Sequence, residues 1–154
     1  MHSKLETMIA EHPFLAGIRP SLLRPFYHCA TMKQYGAGQE VFVEGQPADH
    51  FYLIREGEVA LETSVPGLGN KRIQTIGLGE ALGWSWLFPP HLWHFTARSI
   101  HFSELIALEA KVLRNIADKD AVFRTELVAR IAYVLLQRLQ STRLQLLDLY
   151  LNQS

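Results

Sequence analysis

Tyr35-Gly-Ala-Gly-Gln-Glu-Val-Phe-Val-Glu-Gly-Gln-Pro-Ala-Asp-His-Phe-Tyr-Leu-Ile-Arg-Glu-Gly-Glu-Val-Ala-Leu61 is the stretch on which the fold turns. Glu40-Val41-Phe42-Val43 follows Gly36 and Gly38. Phe51-Tyr52-Leu53-Ile54 lies between the turn Gly45-Gln46-Pro47-Ala48-Asp49 and Gly57. Short runs rich in β-branched and aromatic residues, punctuated by glycine, read as strands. Glu58-Val59-Ala60-Leu61-Glu62 alternates polar and apolar, as a half-buried strand does, and Arg55-Glu56-Gly57-Glu58 joins it to the preceding strand as a tight hairpin.

Downstream, Lys71–Ile76 forms a further strand after the Gly67-Leu68-Gly69-Asn70 turn, and Phe95–Ile100 and Phe102–Leu108 complete the set. At least six short strands with turn signals this frequent imply an antiparallel roll or barrel. Helices flank it. Lys4–Ala10 is predicted helical, with Ser3 as N-cap and Glu6 closing a capping box. Pro20–Arg24 reads as one helical turn before Pro25. Ala110–Ala117 suits a short helix, Asp118-Lys119-Asp120 a break with N-caps, and Val122 to about Leu151 a long helix free of Gly and Pro. The chain is read as one domain: a helical start (1–27), a β-roll (28–110) and C-terminal helices (111–153).

Composition narrows the function. Of 154 residues, 48% are hydrophobic and 19% charged, which permits a well-buried core. The 15 basic and 15 acidic residues balance, and the strongest basic grouping is Lys71-Arg72, so DNA binding by this chain alone is not expected. Cys29 is the single cysteine, excluding an internal disulfide and a Cys-rich metal site. The start lacks the order of a signal peptide and no run approaches a spanning length, so a cytoplasmic protein is expected.

The glycine spacing at Gly36, Glu44-Gly45, Phe51–Ile54 and Gly57, with His12-Pro13-Phe14-Leu15 ahead of it and the long helix behind, resembles the cyclic-nucleotide-binding-domain family. This is the sensor half of catabolite-activator/FNR-type bacterial regulators. The resemblance implies a mainly β fold: an antiparallel β-roll of jelly-roll (double-stranded β-helix) type, flanked by helices and ending in a long C-terminal dimerisation helix. In transcription factors of the family that helix leads into a helix-turn-helix domain of about 60 residues; here the sequence stops at Ser154, so the expected form is the sensor without its DNA reader.

The resemblance also implies a phosphate cassette of the pattern F-G-E-(L/I)-A-L followed by R-(A/S/T)-A-(T/S). Its Glu accepts from the ribose hydroxyl, and its Arg pairs with the phosphate. The matching stretch, Leu82-Gly-Trp-Ser-Trp-Leu-Phe-Pro-Pro-His-Leu-Trp-His-Phe-Thr-Ala-Arg98, keeps Gly83 but puts Trp84 in place of the Glu and Trp93, beside His94, in place of the Arg. Glu80 is too early for the ribose role, and Arg98 stands where the family carries an outward-facing basic residue. All three tryptophans fall in this window. The candidate ligand-binding residues are therefore Gly83, Trp84, Ser85, Trp93, His94, Phe95, Thr96 and, from its likeness to a ligand-touching Thr on the family's long helix, Thr142.

On the long helix Ala132, Leu135, Leu139, Thr142, Leu146 and Leu149 follow a 3-4 alternation, an a/d seam with one polar member. Val128, Leu135, Leu139, Leu146 and Leu149 are the expected homodimer contacts. His91 and His94 lack the companions of a metal site, and no nucleophile–base order or P-loop occurs, so no cofactor, metal or catalytic residue is expected. Three readings stay open: a sensor of a non-standard, aromatic or weakly charged small ligand that signals through the dimer helix to an unknown protein partner; a ligand-free dimeric interaction scaffold whose barrel is filled; and an atypical, weak binder of cyclic AMP or GMP.

Overall fold

The computed structural model describes residues 3–152. Eight strands form two four-stranded antiparallel sheets. β1 (Ala30–Tyr35), β8 (Ser103–Glu109), β3 (His50–Glu56) and β6 (Ala81–Leu82) make one, in that spatial order. β2 (Glu40–Phe42), β7 (Thr96–Ser99), β4 (Glu58–Val65) and β5 (Gly69–Gly77) make the other. This is the expected roll. The β3–β4 hairpin turns at Gly57, whose φ of 94° and contact with Phe102 and Ser103 leave no room for a side chain.

Four α-helices surround the roll: α1 (Lys4–Glu11), α2 (Arg24–His28), α3 (Ala110–Lys119) and α4 (Ala121–Leu151). α1 starts with the expected capping box, Ser3 Oγ accepting from Glu6 N and Glu6 Oε2 from Ser3 N. α4 starts where Asp120 accepts from the amides of Val122 and Phe123. Residue 153, the expected end of the helical segment, lies outside the described residues.

Three elements went unexpected. α2 forms because Pro25 sits in its first turn, where a missing N–H costs nothing; the proline read as a stop is a start. β1 has too little apolar alternation to announce itself and is held by its register with β8, Ala30↔Leu108 to Tyr35↔Ser103. β6 has only two residues, pinned to β3 through Tyr52↔Leu82 and Leu53↔Ala81.

One buried cluster joins side chains of both sheets (Leu53, Ile54, Val59, Leu61, Leu105, Ile106) to Phe26 of α2, Leu113 of α3 and Phe123, Leu127, Ile131 and Val134 of α4. Cys29 is buried in it, which pushes its thiol up to about 11. His12 is also buried: its Nδ1 accepts from Phe14 N at 3.1 Å, so Nε2 carries the proton and donates to Ile54 O at 2.9 Å. No helix among the described residues is long and apolar enough to cross a membrane.

Candidate functional site

β6 delivers the chain to Gly83, which takes the left-handed conformation (φ 94°, ψ 69°) and opens a 3-10 turn over Trp84–Leu87. This turn carries the start of the cassette stretch singled out in the sequence, Gly83 to Leu87. Gly83 is required twice over. Its φ suits glycine, and the Cζ3 and Cη2 atoms of Trp93 lie 2.7 Å from where a Cβ would stand. The indole of Trp93 thus rests on the Gly83 backbone.

Trp93 is held from its other sides. It stacks on Phe42 of β2, with ring centroids 3.7 Å apart and planes 9° from parallel, and Tyr52 of β3 approaches at 6.3 Å. Its amide donates to Gln46 O at 2.9 Å, and its carbonyl accepts from Gly45 N at 2.8 Å. The space left between Phe42, Leu61, Leu82, Gly83, Trp84, Ser85, Trp93 and Phe95 is about 10 Å3. A single water needs about that much. With Trp93 in this position, the space among these eight residues holds no more than about one water.

The three tryptophans have three different roles. Trp93 fills the space. Trp86 is fully buried against Phe51 (5.3 Å) with its indole N–H unpaired, while its carbonyl accepts from Arg114 Nη1 at 2.7 Å. Trp84 is half-buried at the mouth, edge-on to Phe95 at 6.0 Å. Ser85 is buried, and its Oγ shares a 2.9 Å hydrogen bond with Nδ1 of the exposed His94. Thr96 points inward, its Oγ1 accepting from Glu44 N at 3.1 Å.

Of the expected ligand residues, Gly83, Trp84, Ser85, Trp93 and Phe95 line one space, His94 and Thr96 adjoin it, and Thr142 does not line it. Thr142 Oγ1 instead donates to Arg138 O at 2.9 Å and accepts from Gln74 Nε2 of β5 at 3.2 Å. Phe42, which completes the stack, went unread as a site residue. Its inward position on β2 was the available signal, but only the fold brings it to Trp93. Glu80 accepts from Gly77 N at 2.6 Å and from Arg138 Nη1 at 3.1 Å, tying the β5–β6 turn to α4. Arg98 is occupied on the sheet by Glu62 (3.3 Å) and Gly38 O (2.9 Å). Among the described residues no three His, Cys, Asp or Glu side chains converge on a point that could hold a metal.

Of the expected dimer contacts, Val128, Leu139, Leu146 and Leu149 are exposed on α4, whereas Leu135 is half-buried against the chain's own core. Leu135 fits the 3-4 pattern, yet α4 leans on the roll at that point and claims part of its side chain.

Two four-stranded antiparallel sheets, a 3-10 turn after β6 and a long closing helix define the class: a β-roll closed by a C-terminal helix. The family profile described as Cyclic nucleotide-binding domain matches residues 32–120, more than half of the chain, and the chain belongs to that family. The CRP-like cAMP-activated global transcriptional regulator of Mycobacterium tuberculosis is 25% identical over 146 residues, which is 94% of this chain and 63% of the relative. The chain thus spans less than two thirds of that regulator's length. A cyclic nucleotide-binding domain from Methylobacillus flagellatus superposes with a TM-score of 0.80 at 18% identity, covering 94% of this chain and 84% of the other. The sensor domain of the transcriptional regulator DNR from Pseudomonas aeruginosa does so with 0.69 at 18% identity, covering 88% and 91%. These two likenesses concern the fold.

Proposed function

We propose that this chain is a non-enzymatic regulatory module that has exchanged its nucleotide for a side chain of its own. Trp93 occupies the ligand space, the Glu and Arg of the cassette are replaced by Trp84 and Trp93, and the roll holds one packed state without ligand. The observation that carries this is the Trp93 ring seated on Gly83 and stacked on Phe42, with about 10 Å3 left over. It favours the scaffold reading over the small-ligand one. A ligand shifts a conformational equilibrium only by its different affinity for two states, and here a ligand would first have to expel a buried indole.

The output surface in this reading is α4. Two copies pair through Val128, Leu139, Leu146 and Leu149, and a protein partner reads the pair. Calorimetric titration of the full chain with cyclic AMP and cyclic GMP, with tryptophan fluorescence in parallel, tests the filled pocket. No heat and no spectral change are expected up to millimolar nucleotide. Micromolar binding would overturn the reading and restore the nucleotide sensor, with the cassette amides and His94 serving the phosphate.

A further inference from the structure

Outside its contact with the roll, α4 exposes more apolar surface than one seam can cover. Val128, Leu139, Leu146 and Leu149 form one stripe. At about 100° per residue, a second stripe of Tyr133, Leu136, Leu144, Leu147 and Leu151 lies about 120° further round, on the side turned away from the roll. Its 3-4 spacing is filled in by Gln140, its one polar member. Leu144, Leu147 and Leu151 are 64%, 53% and 65% exposed. Leu146 of the first stripe and Leu144 and Leu147 of the second share a groove of about 500 Å3, with Arg143 and Tyr150 on the helix surface between them.

Together with Tyr150, the second stripe offers on the order of 800 Å2, about what each partner contributes to a stable interface. Lone soluble proteins rarely leave a patch above roughly 300–600 Å2 in water. The first stripe, interrupted by Thr142 and with Leu135 half-buried, offers less. No charged residue belongs to the second stripe, so its occupant is an equally uncharged leucine-rich helix of the same pitch. A second copy supplies one, and a two-fold axis satisfies both at once. With a formal net charge of zero, two copies meet without long-range repulsion.

We propose that the second stripe is a homotypic interface, filled by the same stripe of another copy, so that two α4-linked pairs join into a tetramer. The count of four rests on the pairing through Leu139 proposed above; association through the second stripe does not.

Sedimentation equilibrium of the full chain tests both. The expected mass is four chains. Leu144→Glu with Leu147→Glu should halve it, as should Leu139→Glu alone, with helical circular dichroism retained because all three sites are exposed. A wild-type mass of two chains that the Leu144/Leu147 double variant leaves unchanged would overturn the proposal, as would a wild-type monomer. A mass of two chains that falls to one in the double variant but not in Leu139→Glu upholds the second stripe and overturns the Leu139 pairing.

Discussion

From Ala121 to Val134, α4 turns its apolar side to the roll: Phe123, Leu127, Ile131 and Val134 are buried. Past Leu135, which is half-buried against the core, the side that meets the sheet is polar. Arg138 Nη1 donates to Glu80, Gln74 Nε2 to Thr142 Oγ1, and Gln145 Nε2 to Ile73 O at 3.0 Å, while the leucines face outward. One unbroken helix therefore has two characters. The first half belongs to the core, where burying a Leu or Phe side chain contributes about 1.5–3 kcal/mol. The second is laid along β5 by hydrogen bonds whose net worth is about 1 kcal/mol each, and its leucines stay exposed.

The roll shows the same contrast between filled and free surface. The cassette end is closed by Trp93, and removing that ring should have the largest effect. Trp93→Ala is expected to lower the unfolding free energy by about 3–5 kcal/mol, because Phe42 and Gly83 cannot collapse into the gap. Urea unfolding followed by circular dichroism measures it. Indole added at millimolar concentration should recover part of the loss by entering the vacated space. A cost below about 1 kcal/mol would mean that the pocket closes by itself and that Trp93 is no plug.

The difference between the halves of α4 predicts a difference in concentration dependence. Ile131→Ala should cost about 2–5 kcal/mol at any protein concentration, since its contacts lie within one chain. Leu144→Ala should cost little in dilute solution and progressively more as concentration rises, as the proposed pairing of the second stripe between chains requires. Melting curves at several concentrations separate the two. Equal, concentration-independent losses would erase the distinction between core half and interface half.

Much of this was legible in the residues. The glycine spacing from Gly36 to Gly57 and the β-branched runs between them dictate the hairpins of the roll, and the tryptophans at 84 and 93, where the family resemblance implies Glu and Arg, raised the expectation of an altered pocket. That the pocket is closed was not legible, because it depends on Phe42 approaching Trp93 from a strand far away in sequence. The 3-4 count on α4 picked out one stripe and passed over the exposed Tyr133, Leu136, Leu144, Leu147 and Leu151, since a count anchored on Leu139 does not ask which leucines the roll has claimed. Leu135 and Thr142 fit the periodicity, but α4 lies so that the first is half-buried and the second meets Gln74.

Loosening the polar zipper should have a smaller effect than opening the pocket. Glu80 is 41% exposed, so Arg138→Ala leaves it hydrated rather than stranded. The expected loss is about 1 kcal/mol, and the buried Nε of Arg138 has no partner to lose. Hydrogen exchange is the sharper readout. Amides from Gln140 to Leu151 should exchange faster while those from Phe123 to Val134 keep their protection. Uniform loosening of α4 would show that the two halves act as one cooperative unit.

The smallest expected effect belongs to His12, and it joins the helical start to the roll. Both ring nitrogens are committed in the neutral form, Nδ1 as acceptor from Phe14 and Nε2 as donor to Ile54, and burial holds its pKa below the usual 6.5 despite the carbonyl that favours the charged ring. Protonating Nδ1 would abolish the Phe14 bond and charge a buried ring. In the unfolded chain the imidazole titrates normally, so between 6.5 and the lower folded value the unfolded state binds more protons. Stability from this group is complete above pH 6.5 and is lost as pH falls toward the folded value. His50, also held low by burial and by Lys33, adds a contribution of the same sign. His12→Asn should lower stability at pH 8 and flatten the decline between pH 7 and 5, with the remaining slope belonging to the other titrating groups, including His50. An unchanged slope in urea titrations across that range would show that His12 accepts its proton without disturbing the fold.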